Sequence, residues 1–392
     1  MKFWASIRRT LAAVTLCSSS AMAAGVSDTE ILIGTHIDLS GPAAAATAPL
    51  RNAMQMRFDQ QNEAGGVHGR KIRLIVEDNA GQPQAAVRAV QKLVRRDGVF
   101  AIVNSFGSAA NAAVSKTTTD AGVLVFAPWA DAGVMRSSSG NSPLMFTTVQ
   151  DYDTTTSFAV SWAIRQWNVK KLGVIYVEGP MGEKTRLGVK TGLTAGAQVV
   201  AEAGYKPGDI DFSSQVARMR AAGVELLVAA GIVREPIGIS AEAKKLGWND
   251  VKILTALPAQ SLAVPRVGKD AVEGLYSVSG WVSFDPNAAN LDPVARERME
   301  QYRKRFNISP DDVLAAYAYA DWFVKALEAA GRNLTTERVA AALKQMTFND
   351  IAFWGPSRMG PDNHLHPEPV RVTQVQKGQW VPVSPVLSAL TP

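Results

Sequence analysis

The chain has 392 residues, which at about 150 residues per domain predicts two or three domains and excludes a peptide or a disulfide-stapled mini-protein. Its residues are 47% hydrophobic and 19% charged, a composition typical of globular proteins and unlike that of disordered or coiled-coil chains. The formal net charge is +6, and Lys2, Arg8 and Arg9 supply half of it. The remaining basicity is too weak to indicate nucleic acid as a partner.

The first 24 residues have the pattern of an export signal. Basic residues through Arg9 precede an apolar run over 11–16, and the small residues of 21–24 offer a cleavage site near Ala23 or Ala24. We therefore predict that residues 1–24 are a removed signal peptide and that the mature protein is periplasmic. The single cysteine, Cys17, lies within this signal, and Leu16 before it fits a lipoprotein site poorly, so the mature chain is expected to lack both a lipid anchor and a disulfide.

Short β-rich runs then alternate with amphipathic stretches. The first runs are 31–34, 72–76, 100–103 and 123–126. The helix between the first two carries Leu50, Met54 and Phe58 at a spacing of four residues. This alternation is typical of parallel α/β layers and predicts an α/β fold.

A second series of the same units begins at residue 172. Its strands are predicted at 172–177, 226–229 and 251–254, and its helices at 212–222 and 236–246. Helices at 311–332 and 335–346 follow, the latter opened by a capping box at Thr335, and the tail over 353–383 reads as hairpin-rich. Two similar halves predict two lobes.

Catalytic and metal-binding patterns are scarce. The sequence contains no Gly-x-Ser-x-Gly elbow, no phosphate-binding Gly-rich loop and no His-Glu-x-x-His motif. His364 and His366 form a His-x-His pair, but its proline-rich surroundings favour a solvated turn over a metal site. His36 is expected to pack at a strand end. We therefore predict a binding protein with no cofactor and no metal rather than an enzyme.

Strand-to-helix junctions are more informative. After the third strand, Ser108 is placed to cap the next helix, where it serves either as a plain N-cap or as part of an anion site. After the fourth strand comes Trp129, at the sheet edge where ligands bind in parallel α/β proteins. A third strand-to-helix junction spans residues 177–183, after the first strand of the second half.

Several motifs in this order carry a family resemblance. They are Ile33-Gly34 followed by 39–42 (Leu-Ser-Gly-Pro), the segment 62–70 (Asn-Glu-Ala-Gly-Gly-Val-His-Gly-Arg), 77–79 (Glu-Asp-Asn), Pro83, and the loops around Ser108 and Pro128. With these motifs the chain resembles the branched-chain amino-acid-binding family of bacterial periplasmic solute-binding proteins.

That resemblance implies a two-lobed type I periplasmic binding protein fold. Parallel sheets would be flanked by helices, with three crossovers between lobes composed of 25–148 plus 280–365 and 149–279 plus 366–392. It also implies that a small molecule is held between the lobes and delivered to an inner-membrane ABC permease. We expect a monomer.

The resemblance also implies where ligand binds and where this chain departs from the family. An amino-acid carboxylate would sit at Ser108 and at the loop ending in Asp131. The acidic residue that takes the ligand's ammonium would lie near Leu257, but no carboxylate occurs over 251–266. Glycines 81 and 107 stand where the family's disulfide would need cysteines. The predicted ligand-binding residues are Phe106, Ser108, Trp129, Ala130, Asp131, Tyr152, Met181, Ile232, Arg234, Leu257 and Trp281.

These residues predict an apolar pocket. A hydrophobic, aromatic monocarboxylate fits best, with its carboxylate at Ser108 or Arg234 and any hydroxyl donating to Asp131. Two alternatives stay open: a branched-chain amino acid or amide whose amine Asp131 holds, and a sensor subunit that presents ligand to a receptor. Trp281 is expected either on the pocket wall or in the hinge core.

Overall fold

The computed structural model describes residues 23–288, 290–309 and 313–388. Cys17 and most of the proposed signal peptide lie outside this range. The first lobe is built on a parallel sheet of five strands in the order β2-β1-β3-β4-β5. Its elements are β1 (Glu30–Ile37), α1 (Ala44–Glu63), β2 (Lys71–Asp78), α2 (Pro83–Gln91), β3 (Ala101–Val103), α3 (Ser108–Ala112), α4 (Ser115–Asp120), β4 (Leu124–Phe126), α5 (Ala132–Ser138) and β5 (Met145–Phe146).

The second lobe begins with α6 and is built on a larger sheet. Its first elements are α6 (Tyr152–Trp167), β6 (Lys171–Val177), α7 (Pro180–Thr191), β7 (Gln198–Tyr205), α8 (Ser213–Ala221), β8 (Leu226–Ala230), α9 (Arg234–Lys245), β9 (Lys252–Thr255), α10 (Ala263–Gly268) and β10 (Tyr276–Ser279). Strands β6 to β10 pair in parallel.

The chain then returns to the first lobe and crosses once more. The returning elements are α11 (Pro293–Phe306), α12 (Val313–Ala329), α13 (Thr336–Gln345) and a small antiparallel sheet of β11 (Thr347–Phe348), β12 (Ser357–Met359) and β13 (Leu365–His366). The hairpin of β14 (Arg371–Gln376) and β15 (Gln379–Pro382) completes the second sheet, giving the order β15-β14-β10-β9-β8-β6-β7.

Three crossovers therefore join the lobes, after β5, after β10 and after β13. We call them the first, second and third crossover. The two-lobed α/β architecture that the resemblance implies is confirmed by the two sheets. We propose lobe boundaries near these crossovers, at the residues expected from the sequence. No helix among the described residues is long and apolar enough to cross a membrane.

The predicted strands of both halves are present. The β-branched and leucine-rich runs of β1, β3, β4, β6 and β8 are buried in sheet interiors, whereas β2 lies at a sheet edge. Strand β7 was not predicted, since it lies at a sheet edge and carries Gln198, Glu202 and a glycine among its apolar residues. The capping prediction at Thr335 is confirmed, because its Oγ1 accepts a hydrogen bond from Arg338 N at 3.3 Å. Helix α12 is described from Val313, and the predicted start at 311 lies outside the described residues.

Helices α6 and α7 pack closely because α7 presents two glycines one turn apart. A Cβ on Gly188 would lie 2.5 Å from Asp153 O, and one on Gly192 would lie 2.7 Å from Ser157 O. Both distances are shorter than a carbon–oxygen contact, so only glycine allows this approach.

We expect Gly188→Ala to destabilise the protein by about 1–3 kcal/mol, because the added methyl group must push α7 away from α6. Chemical denaturation measures the change. Thr191→Ala, at an exposed position on the same helix, is the control and should change stability by less than about 0.5 kcal/mol. Equal stabilities of Gly188→Ala and the wild-type protein would show that the helices separate without cost.

Candidate functional site

A cavity lies between the lobes, at the carboxyl ends of the strands of both sheets. Open α/β sheets bind ligands at this position. Residues from α1, from the loops after β3 and β4, from the second lobe and from two crossovers line it. They are Ala46, Leu50, Phe106, Gly107, Ser108, Trp129, Val149, Tyr152, Met181, Ile232, Leu257, Pro258, Gln260, Ser261 and Trp281.

The cavity wall is apolar, and its polar groups are neutral. Hydroxyls come from Ser108, Tyr152 and Ser261, and Gln260 contributes a carboxamide. None of the described residues that line it is Asp, Glu, Lys, Arg or His. A ligand in this cavity therefore meets hydrogen-bonding groups but no formal charge.

Trp129 forms the aromatic part of the wall and is held by two other rings. Tyr319 of α12 meets it edge-on with centroids 5.2 Å apart, and Trp281 of the second crossover does so at 5.4 Å. These contacts fix the indole at 7% exposure. Its Nε1 has no hydrogen-bond partner among the described residues, so one buried donor on the wall is unsatisfied.

Ser108 lies at the polar end of the cavity. Its Oγ accepts a hydrogen bond from Asp131 N at 3.1 Å and is also hydrogen-bonded to the Tyr152 hydroxyl. Burial raises the pKa of Tyr152, which keeps this phenol protonated. The expectation that Ser108 caps the following helix is wrong, because Gly107 is the N-cap residue and Ser108 begins α3.

Asp131 lies behind this polar end rather than on the cavity wall. Its carboxylate accepts hydrogen bonds from Val134 N at 2.7 Å and from Tyr152 N at 2.6 Å. It therefore caps α5 and ties the beginning of α6 to the first lobe. Burial raises the pKa of Asp131 to about 6, an effect that these backbone hydrogen bonds and the charge of Lys184 oppose.

Gln260 connects the cavity to the second and third crossovers. Its Nε2 donates to Ser283 Oγ at 2.9 Å, and its Oε1 accepts from Thr373 Oγ1 at 2.7 Å. Ser283 follows the second crossover and Thr373 lies on β14, after the third. A cavity residue is thus hydrogen-bonded to two of the segments that bend when lobes move.

Eight of the eleven predicted site residues line the cavity: Phe106, Ser108, Trp129, Tyr152, Met181, Ile232, Leu257 and Trp281. Ala130, Asp131 and Arg234 do not. Ala130 packs into a separate core cluster with Met135, and Arg234 is exposed at the beginning of α9. Arg234 and Asp131 therefore do not lie on the cavity wall of this structure.

Sequence reasoning missed seven lining residues: Ala46, Leu50, Gly107, Val149, Pro258, Gln260 and Ser261. Gln260 and Ser261 lie in the same loop as the predicted Leu257, and the position of that loop after a strand could have predicted them as well. Ala46 and Leu50 lie on α1, where their spacing of four indicates only a buried helix face.

The histidines occupy different environments. His36 is buried at the end of β1 beside Asn79, as expected, and burial lowers its pKa to about 4. The expectation of a solvated turn is wrong for His364, which is fully buried against Thr147. His366 is half exposed.

Comparisons with known proteins agree with this architecture. The family model described as "Periplasmic binding protein" matches residues 30–379. A leucine-, isoleucine-, valine-, threonine- and alanine-binding protein of Pseudomonas aeruginosa is 27% identical over 313 residues, covering 79% of this chain and 81% of the relative.

Two solved structures are similar over most of the chain. A fatty acid ABC transporter substrate-binding protein from Thermomonospora curvata is 25% identical with a TM-score of 0.83, covering 94% of this chain and 95% of that one. A solute-binding protein from R. palustris in complex with benzoate has a TM-score of 0.80 at 17% identity, covering 92% and 98%. At that identity the second likeness concerns the fold alone.

The raised pKa of Asp131 predicts a pH dependence of stability. The folded state holds this proton more tightly than the unfolded chain, where the pKa is 3.8. The contribution of this carboxyl to the stability of the folded protein is therefore largest below pH 3.8, and it is lost as the pH rises through about 6. We therefore compare the free energy of unfolding of the wild-type protein with that of Asp131→Asn. The difference between the two should fall by up to about 3 kcal/mol when the pH is raised from 4 to 8.

Urea denaturation at several pH values measures this difference. Asp250→Asn, at an exposed carboxyl that folding leaves in water, is the control and should show a flat difference. A flat difference for Asp131→Asn as well would mean that the carboxyl is equally solvated in both states.

Proposed function

Because this chain belongs to the Leu/Ile/Val-binding protein family of periplasmic ABC-transporter solute-binding proteins, we propose that it captures a small hydrophobic, aromatic carboxylate between its lobes. Family membership makes it a non-enzymatic binding component of an ABC transporter. The ligand class is the part that we propose.

The observation that carries this proposal is that no acidic residue lies on the described cavity wall, so a ligand ammonium would have no partner. An α-amino acid brings an ammonium group, and a desolvated ammonium needs a carboxylate partner. Of the described residues that line the cavity, none offers one. Asp131 lies off the cavity wall, and each of its oxygens already accepts a hydrogen bond from the backbone of α5 or α6.

The polar groups of the cavity wall include hydrogen-bond donors that suit a ligand group rich in hydrogen-bond acceptors. Ser108 Oγ accepts from Asp131 N and is hydrogen-bonded to the Tyr152 hydroxyl, so one of the two hydroxyl protons of this pair remains to be donated. The indole Nε1 of Trp129 is a buried donor without a partner in the described chain. A carboxylate accepts hydrogen bonds and donates none, which matches such groups. The ring of Trp129 and the side chains of Phe106 and Leu257 would cover the hydrophobic body.

The relatives divide on ligand class. The T. curvata protein, similar over nearly the full chain, is named for fatty acids, which are hydrophobic monocarboxylates. The P. aeruginosa relative is named for amino acids. The lack of an acidic residue on the cavity wall favours a hydrophobic monocarboxylate. An amino-acid ligand is the alternative outcome of the test below.

The proposed setting follows from the same family. We propose export to the periplasm with cleavage near Ala23 or Ala24, a monomeric mature protein, and delivery of the ligand to an inner-membrane permease. Lobe closure around the cavity would present the loaded state to that permease.

Paired compounds test the ligand class. We expect 3-phenylpropanoate to bind at least about 30-fold more tightly than L-phenylalanine, because the ammonium of the amino acid loses its hydration without gaining a charged partner. Isothermal titration calorimetry gives both constants, and 3-phenylpropanamide shows whether the carboxylate itself is needed. Tighter binding of phenylalanine would overturn the proposal and favour an amino-acid binder.

Trp129→Ala tests the aromatic wall. We expect it to weaken binding of 3-phenylpropanoate by about 30-fold or more, since truncation of a buried aromatic anchor commonly costs at least about 2 kcal/mol. Trp162→Ala is the matched control, because Trp162 packs on Trp167 away from the cavity. If the folded Trp129→Ala protein binds like wild type, the indole serves only the core.

A further inference from the structure

A second polar cluster lies outside the cavity, where the first and third crossovers meet. Asp151 precedes α6 in the first crossover, and Glu368 follows β13 in the third. His364, just before β13, is fully buried between them. One ligand-type atom from each of these three side chains lies within 4.8 Å of the other two.

The imidazole of His364 is oriented by Thr147. Its Nδ1 lies 3.1 Å from Thr147 O and 2.9 Å from Thr147 Oγ1. Because a carbonyl oxygen only accepts hydrogen bonds, the contact with Thr147 O fits a proton on Nδ1, and the Thr147 hydroxyl can then accept from or donate to its surroundings. In the neutral ring, Nε2 then carries the lone pair.

That lone pair faces a carboxylate. His364 Nε2 is 3.2 Å from Glu368 Oε1, yet it makes no hydrogen bond with any residue that the structure describes. Two electron-rich atoms at this distance repel each other unless a proton or a metal ion lies between them.

The fixed charges around the cluster leave a negative excess. Arg136 is 2.8 Å from Asp151 Oδ2, but the same guanidinium is also 3.7 Å from Asp362 Oδ2. Glu368 Oε2 accepts a hydrogen bond from Asp151 N at 2.8 Å. Among the ion pairs of the described residues, none joins Glu368 to Arg136. The Arg136 guanidinium thus faces three carboxylates, and the Lys184 ammonium, which pairs with Asp153, also acts on Asp151.

We propose that Asp151, His364 and Glu368 bind a divalent first-row transition metal ion of the Zn²⁺ type. With metal–ligand bonds of about 2.0–2.1 Å, two ligands of a tetrahedral site lie about 3.3 Å apart, and His364 Nε2 and Glu368 Oε1 are 3.2 Å apart. One imidazole nitrogen and two carboxylates form a donor set that Zn²⁺ accepts, with water as the fourth ligand.

The surroundings of His364 match those of metal-binding histidines. Such histidines usually donate their second ring N–H to a carbonyl or carboxylate, which fixes the tautomer. Thr147 O serves that purpose here. The Asp151 carboxylate also accepts from Gly133 N and from Arg136, and its remaining lone pairs are free for a metal.

A neighbouring group of Asp131, Asp151 and Asp153 does not carry the same argument. It contains no imidazole, Lys184 Nζ already donates to Asp153 Oδ2 at 2.9 Å, and Asp131 is bonded to backbone N–H groups. The site therefore centres on His364.

A metal ion at this position would bridge two crossovers. Asp151 is directly followed by Tyr152, which lines the ligand cavity. The ion would tie the beginning of α6 to the segment after β13 and stabilise the native arrangement by mass action.

The test uses the mature protein treated with a chelator and dialysed, without organic ligand. We expect calorimetry with ZnCl₂ to show one site per chain, and Co²⁺ to give the strong visible absorption of a tetrahedral complex. His364→Gln should weaken Zn²⁺ binding by at least about 100-fold, since even loss of an outer hydrogen-bond partner costs 10–100-fold. Glu368→Gln, which keeps the side-chain shape, should also weaken it and serves if His364→Gln does not fold.

His366→Gln is the matched control. His366 is half exposed, its ring centroid lies 5.2 Å from that of His364, and its removal should leave Zn²⁺ affinity within about twofold. The proposal fails if wild type binds no Zn²⁺, if His364→Gln and Glu368→Gln bind it as wild type does, or if His366→Gln abolishes binding. Because the readout is metal alone, it is independent of the proposed carboxylate ligand.

Discussion

The buried carboxylate of Asp131 is the interaction on which the geometry of the cavity depends. It accepts hydrogen bonds from Val134 N and Tyr152 N, and its own backbone N–H donates to Ser108 Oγ. The carboxylate thus fixes the beginning of α5 and the beginning of α6 after the first crossover, and the backbone N–H of the same residue fixes the hydroxyl at the polar end of the cavity. Such a carboxylate costs free energy to bury, and its raised pKa reflects that cost.

This arrangement separates charge from the ligand cavity. Ionised groups are concentrated beside the cavity, around Asp151, where Arg136 supplies compensation. The cavity itself presents rings, methyl groups and neutral donors. Such a wall penalises a ligand ammonium, because burying that charge without an acidic partner costs free energy.

The crossovers are where the cavity and the rest of the fold meet. Trp281 of the second crossover contacts Trp129 edge-on, and Gln260 hydrogen-bonds Ser283 after that crossover and Thr373 after the third. Residues of the cavity wall are therefore in direct contact with the segments that join the lobes. The cluster around His364 adds a link between the first and third crossovers, outside the cavity but directly adjacent to it.

The sequence by itself determined the two-lobed α/β fold and most of the cavity wall. Strand runs, helix periodicity and strand-end positions depend on neighbouring residues, so Trp129 and Leu257 were predictable from their local context. Only the tertiary structure decided which charged groups are buried and which remain in solvent. Asp131 turns inward because two N–H groups from separate helices need an acceptor, and Arg234 remains in solvent. His364 is buried because segments more than 200 residues apart converge on Thr147. Such contacts join residues far apart in the chain, and no local pattern encodes them.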